Sequence, residues 1–381
     1  RDGVVSMSKL NRQVWAEVSL DNIAFNVQQF RELIGPRCEL MAVVKANAYG
    51  HGALETAYTM IAHGTNWLAT ALPEEAVRLR RGGITAPILV LGAVGADELD
   101  VCVAYDLAVT VFEPHIARLL SKAAVAQQKT AKVHIKVDTG MGRLGLLPED
   151  FADLVALVQS LPGLEIQGVF THFARAEETD LGYTRWQWER FSRVREALAA
   201  RGVAVPFYHA ANTAATLFFP ESRLDLVRVG LGIYGMYPDA RRPIELRPAL
   251  SLKTRVAFVK RVPAGSAVSY GGTFVTWKET SLAVLPIGYA DGLLRGLGNK
   301  AHVIIRGHYC PIVGNITMDH TMVDVGDLPV QIGDEVILIG SDGDLAITAD
   351  DWARYLGTIN YEITCMLSSR VERVYIQPSN L

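Results

Sequence analysis

The stretch KVHIKVDTGMGRLGLLPEDFADLVALVQSLPGLEIQGVFT (132–171) decides the fold. It opens on a short β-branched run, KVHIKVD (132–138), and passes through a Gly-rich loop. PEDFADLVALVQS (148–160) follows with apolar residues at helical spacing, and a second β-branched run, IQGVFT (166–171), closes the unit. Working outward, the same alternation spans roughly Leu40 to Gly230. LMAVVK (40–45), NWLAT (66–70), PILVLG (87–92), LAVTV (107–111), FYHA (207–210) and LVRVG (226–230) read as further strands. Between them lie helical segments such as PEEAVRLRR (73–81) and TRWQWERFSRVREALAARG (184–202), the last ending on an Arg-Gly stop. Eight strands alternating with helices over about 200 residues predict an α/β fold of the (β/α)8 barrel type. A doubly wound open sheet has the same strand count and is the structural rival.

Beyond about Arg247 the texture changes. LSLKTRVAFVKRV (250–262) and VERVYI (371–376) alternate polar and apolar residues, and only ADDWARYLG (349–357) reads as helix. A mostly β C-terminal domain is expected, with the boundary in the proline- and charge-rich stretch 237–248. The expected division is residues 1–245 for the barrel and 246–381 for the β domain.

A formal charge of −3, without a Lys/Arg run, gives no electrostatic footprint for nucleic acid or an anionic membrane. The longest uncharged stretch, Gly202 to Pro220, holds His209, Asn212, Thr213 and two prolines, a poor membrane span. RDGVVSMSKLNRQVW (1–15) carries charges where a signal peptide needs an apolar core. Cys38, Cys102, Cys310 and Cys365 lie far apart with no C-x-x-C pair, which argues against a zinc site and a disulfide framework. A soluble, cytoplasmic protein without a structural metal is expected.

In a barrel, chemistry sits at the C-terminal strand ends. Those ends carry Lys45, the Lys136/Asp138/Arg143 stretch, His172, His209 and Arg228. Singly, each has an ordinary explanation: a snorkelling lysine, a hydrogen-bonded core histidine, a salt-bridged arginine. Five cationic or imidazole groups converging on one mouth predict an anionic, phosphorylated ligand. TGMGRLG (139–145) offers a rival reading. Gly140, Gly142 and Gly145 have dinucleotide-binding spacing, and Glu165 falls at the distance of a ribose-binding acid, as in a nicotinamide-dependent oxidoreductase. Against it, the motif follows the fifth strand rather than the first, Arg143 intrudes on the pyrophosphate path, and Pro148 delays the helix.

AVVKANAYGHG (42–52) resembles the signature of the alanine racemase family. VDTGMGRLG, THFARAEE, YHAANTAAT, VRVGLGIYG, VSYGGTF, PIGYADG, NITMDHTM and INYE follow in the family's order, from Trp15 to near the C-terminus. The resemblance implies a barrel plus a β domain and an isomerase that interconverts L- and D-alanine with pyridoxal 5'-phosphate. It implies Lys45 as the residue that tethers the cofactor and as one catalytic base, with Tyr270 as the base on the opposite face. His172, His209 and Arg228 resemble the family's hydrogen-bonded network, in which an arginine faces the pyridine nitrogen. Tyr49, Thr213, Gly230, Leu231 and Tyr361 match its phosphate-binding positions. Arg143, Met318 and Asp319 match the substrate wall, and Tyr289 the entrance. Lys136 matches a lysine carbamylated in many relatives. Thr317 departs from a frequent cysteine. The family's shared active sites imply a homodimer. The same cofactor on the same barrel also serves serine or broader racemases, decarboxylases and aldolases. Tyr361 and the lack of spans favour alanine as substrate, while Tyr270 with Met318 separates a racemase from the decarboxylases.

Overall fold

The structure, a computed structural model, describes residues 13–376. Contacts divide them into two units: Asn22–Arg247, and the residues before Asn22 together with those from Pro248 on.

Strand β1 (Val14–Ser19) opens the chain's described part, followed by the helix Leu20–Ile34. The first unit then runs through β2 (Glu39–Val43), β3 (Trp67–Thr70), β4 (Ile88–Val90), β5 (Ala108–Val111), β6 (Ala131–Lys136), β7 (Leu164–Phe170), β8 (Phe207–His209) and β9 (Leu226–Val229). These eight are parallel neighbours in the order β8-β7-β6-β5-β4-β3-β2-β9. The sheet curls shut where Arg228 N–H donates to the Ala211 carbonyl at 2.9 Å and Asp225 N–H to that of Tyr208 at 3.3 Å. The parallel barrel expected from the alternating pattern is therefore present, and the open-sheet rival is not. Every residue of β3, β4, β5 and β9 is buried, which is why these strands read as continuous apolar runs.

The second unit is mostly β. A seven-stranded sheet joins β1 to Leu250–Arg255, Glu372–Ile376, Glu335–Asp342, Leu345–Ile347 and the hairpin His302–Ile305/His308–Pro311. Phe258–Val262, Thr280–Leu285 and Thr321–Gly326 form a second sheet, and Ala267–Val268 pairs with Phe274–Val275. Two features differ from the expected division. A short helix, Asn360–Cys365, follows Ala349–Leu356. More importantly, β1 belongs here rather than to the barrel. Its buried residues alternate, and it lies antiparallel to Leu250–Thr254 and parallel to Glu372–Ile376. Alternation suits a half-covered sheet; a barrel strand is covered on both faces. Among the described residues, no helix is long and apolar enough to cross a membrane.

Candidate active site

After β2 the backbone does something the sequence gives no glycine for. Ala46, Asn47, Ala48 and Tyr49 all have φ between 52° and 54°, a left-handed turn beginning right after Lys45. Such a conformation costs about 1–2 kcal/mol per non-glycine residue, so the surroundings must hold it. Gly50 N–H bonds Ala46 O at 3.0 Å, and Gly52 N–H bonds Asn47 O at 2.9 Å. Glu75, in the helix Pro73–Arg81, accepts from Ala46 N–H at 2.7 Å and from Ala71 and Leu72 N–H at 2.9 and 3.1 Å. Tyr49 stacks on Tyr234, whose hydroxyl donates to Val43 O. A strained segment over-determined by its neighbours is typical of functional sites.

The product of that strain is a cradle. Tyr49 is turned inward so that a Cβ at Gly230 would overlap its hydroxyl; only glycine fits there. Thr213 Oγ accepts from Gly230 N–H at 3.2 Å and from Gly232 N–H at 3.5 Å, leaving its own proton to donate. Leu231 is buried behind them. Two hydroxyls and glycine-flanked N–H groups suit a phosphate ester.

Beside the cradle, Arg228 is buried on β9 and organises the imidazoles. Its Nη1 donates to His209 Nδ1 at 2.8 Å; its Nη2 donates to Thr171 O at 2.8 Å and lies 3.1 Å from both His172 Nδ1 and Ala210 O. Since a guanidinium only donates, both Nδ1 atoms accept. His209 Nε2 therefore carries its proton and donates to His134 Nδ1 at 2.9 Å, and His134 Nε2 donates in turn to Gln167 Oε1 at 3.3 Å. All three imidazoles are neutral. Burial pushes His134 down to about 4; burial, then Arg228, hold His172 and His209 well below the usual imidazole range. Phe170 is the common floor, with His209 stacked on it at 4.6 Å and Arg228 and Lys136 over it at 5.2 and 5.4 Å.

Arg228 itself is pressed to about 9 by burial and by Arg143, so it stays protonated near neutral pH. Among the described residues its Nε–H makes no hydrogen bond, which leaves it available to a ligand atom with a lone pair. Lys136, also buried, is lowered to about 7 by burial, Arg228 and Arg143, with Asp138 opposing. The charges of Arg228, Arg143, Lys136 and Lys45 all act on His172, so the strand ends do converge.

The glycines of TGMGRLG have a different task from binding a dinucleotide. Asp138 Oδ1 already accepts from Gly140 and Gly142 N–H at 2.9 and 3.1 Å. A Cβ at Gly145 would meet the Val137–Asp138 backbone, and no helix begins until Phe151. The loop is folded against β6 and presents Arg143 at the surface.

In the β unit, Tyr270 stands on an exposed loop with three quarters of its surface free. Tyr289 and Met318 are brought together because Gly288 lets the two turns touch. Tyr289 N–H bonds Thr317 O at 3.0 Å and Ala290 N–H bonds Met318 O at 3.1 Å. Among the described residues Met318 N–H has no hydrogen-bond partner and can donate. Arg370 bridges Asp319, at 2.7 Å, to the buried carboxylate of Asp291, at 3.3 Å. Tyr361 lies in the helix Asn360–Cys365.

Sequence reasoning missed Glu75, His134 and Gln167. For His134 a signal existed: it lies two residues before Lys136, so both point to the same face of β6. Among the described residues no cluster of His, Cys, Asp and Glu is arranged to hold a metal.

Comparison with known proteins gives a consistent set of likenesses. The alanine racemase N-terminal domain family matches residues 18–238 and the alanine racemase C-terminal domain family residues 249–375. An alanine racemase of Halothermothrix orenii is 44% identical over 96% of this chain and 98% of that protein. The structure of the Clostridium difficile 630 alanine racemase has a TM-score of 0.93 at 37% identity, covering 96% of both chains. A histidine racemase from Leuconostoc mesenteroides subsp. sake superposes with a TM-score of 0.90 at 30% identity, over 96% of this chain and 99% of that one.

Proposed function

The chain belongs to the alanine racemase family, pyridoxal-phosphate-dependent isomerases that interconvert L- and D-alanine, and from that premise we propose that Lys45 and Tyr270 are its two bases. Pyridoxal phosphate, when bound, supplies the electron sink that makes the Cα proton of an amino acid removable near neutral pH. The phosphate is held by Tyr49, Thr213, the N–H groups of Gly230 and Leu231, and Tyr361. Lys45 tethers the cofactor and moves a proton on one face of Cα; Tyr270 moves it on the other.

The observation that carries this reading is Arg228. It is buried, protonated, fixed by two neutral imidazoles, and keeps one N–H aimed at no protein acceptor. A guanidinium gives up its proton reluctantly. Set against the ring nitrogen of a bound cofactor, Arg228 would donate a hydrogen bond without protonating the ring, which would favour return of the proton to Cα over transamination. His172, with its only ring proton on Nε2, donates to the Tyr270 oxygen and helps that phenol act as a base.

Arg143 and Met318 N–H bind the substrate carboxylate, with Asp319 beside them and Tyr289 at the entrance. Lys136, pulled towards its neutral amine, adds carbon dioxide and loses a proton to become a carbamate, an anion that then holds Arg143. Tyr270 and Met318 reach Lys45 from a second copy of the chain, so the enzyme is a homodimer with shared sites. A small side-chain pocket separates alanine from serine by only about 1–3 kcal/mol, so slow serine turnover accompanies alanine racemisation.

The test is chiral chromatography of L-alanine and L-serine after incubation with protein and pyridoxal phosphate, with Lys45→Ala beside it. Equal D- and L-alanine, lost in the variant and slower for serine, supports the reading. No D-amino acid from either substrate overturns it in favour of a decarboxylase or aldolase.

A further inference from the structure

The loop that presents Tyr270 has no rigidity of its own. Ser269 has φ +63°, and Gly271 and Gly272 have φ +75° and +54°. Among the described residues the tyrosine side chain makes no hydrogen bond, and the hairpin below it, Ala267–Val268 with Phe274–Val275, is only two pairs long. Such a loop samples many conformations unless side chains fix it. Several do, and all lead to one turn. Asn315 Nδ2–H donates to the Tyr270 carbonyl at 2.8 Å, and Ser269 Oγ–H donates to the Asn315 carbonyl at 2.6 Å. Asn299 spans the same gap, accepting from Gly314 N–H at 2.6 Å and donating to Thr273 Oγ at 3.0 Å. Gly314 makes the approach feasible: a Cβ there would lie 2.7 Å from Val268 O and 3.1 Å from Ser269 Cβ. Val268, Leu282 and Val313 form the buried base on which this assembly rests.

We propose that Asn315 is the positioning residue for Tyr270, and that Asn299 reinforces it. This deepens the two-base reading and rests on it. The donor at Asn315 has to be the amide nitrogen, because the Tyr270 carbonyl can only accept. Three residues further along the same turn, Met318 exposes the N–H assigned to the substrate carboxylate. One short segment therefore sets the distance between a proton-transferring oxygen and the group that orients the substrate. Asn315 acts on Tyr270 through the backbone.

The Tyr270 carbonyl lies at the surface, so losing the Asn315 bond leaves it to water and costs little stability. Its effect falls on geometry, where a displacement of an ångström lowers a rate by about a hundredfold. The experiment uses the holoenzyme and three variants, Asn315→Ala, Asn299→Ala and Tyr270→Phe. Hydrogen–deuterium exchange of the peptide spanning 266–275 is read together with α-deuterium isotope effects for L- and D-alanine. Asn315→Ala is expected to speed exchange in that peptide alone and to lower kcat about tenfold to a hundredfold. It should raise the isotope effect for the one enantiomer whose proton Tyr270 removes, leaving the other unraised. Asn299→Ala should give the same pattern, weaker. Unchanged exchange, or isotope effects that shift equally for both enantiomers, overturns the positioning role. Should Asn315→Ala fail to fold, Asn299→Ala decides by the same criteria. Full activity in Tyr270→Phe would instead overturn the two-base reading itself, so the two failures are distinct.

Discussion

His209 Nδ1 accepts a 2.8 Å hydrogen bond from Arg228, and that one fixed direction sets the protons of two further residues. A donor-only guanidinium forces the His209 proton onto Nε2, which forces the His134 proton onto Nε2 and the Gln167 carbonyl into the last accepting position. The chain of bonds has no slack: protonating either histidine sets two donors against each other.

Acid should therefore undo the barrel in a defined window. In the unfolded chain these imidazoles bind protons below about pH 6.5, while in the fold His134 binds one only near 4, and burial, then Arg228, hold His172 and His209 well below the usual imidazole range. The unfolded state holds more protons there, so stability falls as pH drops from about 6.5 towards 4. His134 alone contributes about 3 kcal/mol to this loss. Denaturant unfolding across that range should show the loss, and His134→Gln should flatten it by about one proton.

Lys136 acts in the same sense, in a higher pH window. As a bare amine its pKa is lowered from 10.5 to about 7, so the unfolded state binds the extra proton between those values and stability rises with pH across them. Lys136→Met should then stabilise the apoprotein in carbon-dioxide-free buffer at pH 6.5 and do so far less at pH 10. Bicarbonate should raise the wild-type melting temperature and leave that of the variant unchanged, and a plain amine in crystallographic density under bicarbonate would dismiss the carbamate.

Shared sites make two dead enzymes complement each other. Lys45→Ala and Tyr270→Phe should each lose racemisation by at least about a hundredfold. Mixed and reassembled, they form dimers in which half are hybrid and each hybrid has one intact site. About a quarter of wild-type activity should return. Activity that stays at the level of the separate variants would show that each chain completes its own site.

Glu75 tests the strained turn. Glu75→Ala removes an acceptor shared by the N–H groups of Ala46, Ala71 and Leu72. The left-handed run then relaxes, carrying the Tyr49 hydroxyl out of the cradle. Pyridoxal phosphate affinity, followed by titrating the apoprotein, should weaken about tenfold, with a cost of about 1–3 kcal/mol in unfolding free energy.

The barrel was legible because its strands are buried on both faces and so appear as uninterrupted β-branched runs, and the polar residues that end them stand out by contrast. The left-handed turn was not, since Ala-Asn-Ala-Tyr signals nothing about positive φ. What holds it is a glutamate in the helix Pro73–Arg81, beyond β3, where Glu75 stands as an ordinary first-turn acid. The histidine relay was half visible. His172 and His209 sit at strand ends, whereas His134 lies inside a strand, where only its partner's position reveals what it does. Asn315 was invisible for a similar reason, because its target is a backbone carbonyl 45 residues earlier.

β1 has a consequence for how the protein is made. It is synthesised before the whole barrel, yet Val18 pairs with Leu250, and Trp15 with Glu372. At about 5–20 residues per second, translation leaves this strand without its partners for tens of seconds, an unpaired edge carried on a growing chain. The barrel can assemble as it emerges; the β unit cannot be finished until its last strand has left the ribosome. A deletion that removes only Glu372–Ile376 should therefore leave one edge of β1 unpaired as well, and be far more damaging in the cell than the loss of five residues suggests.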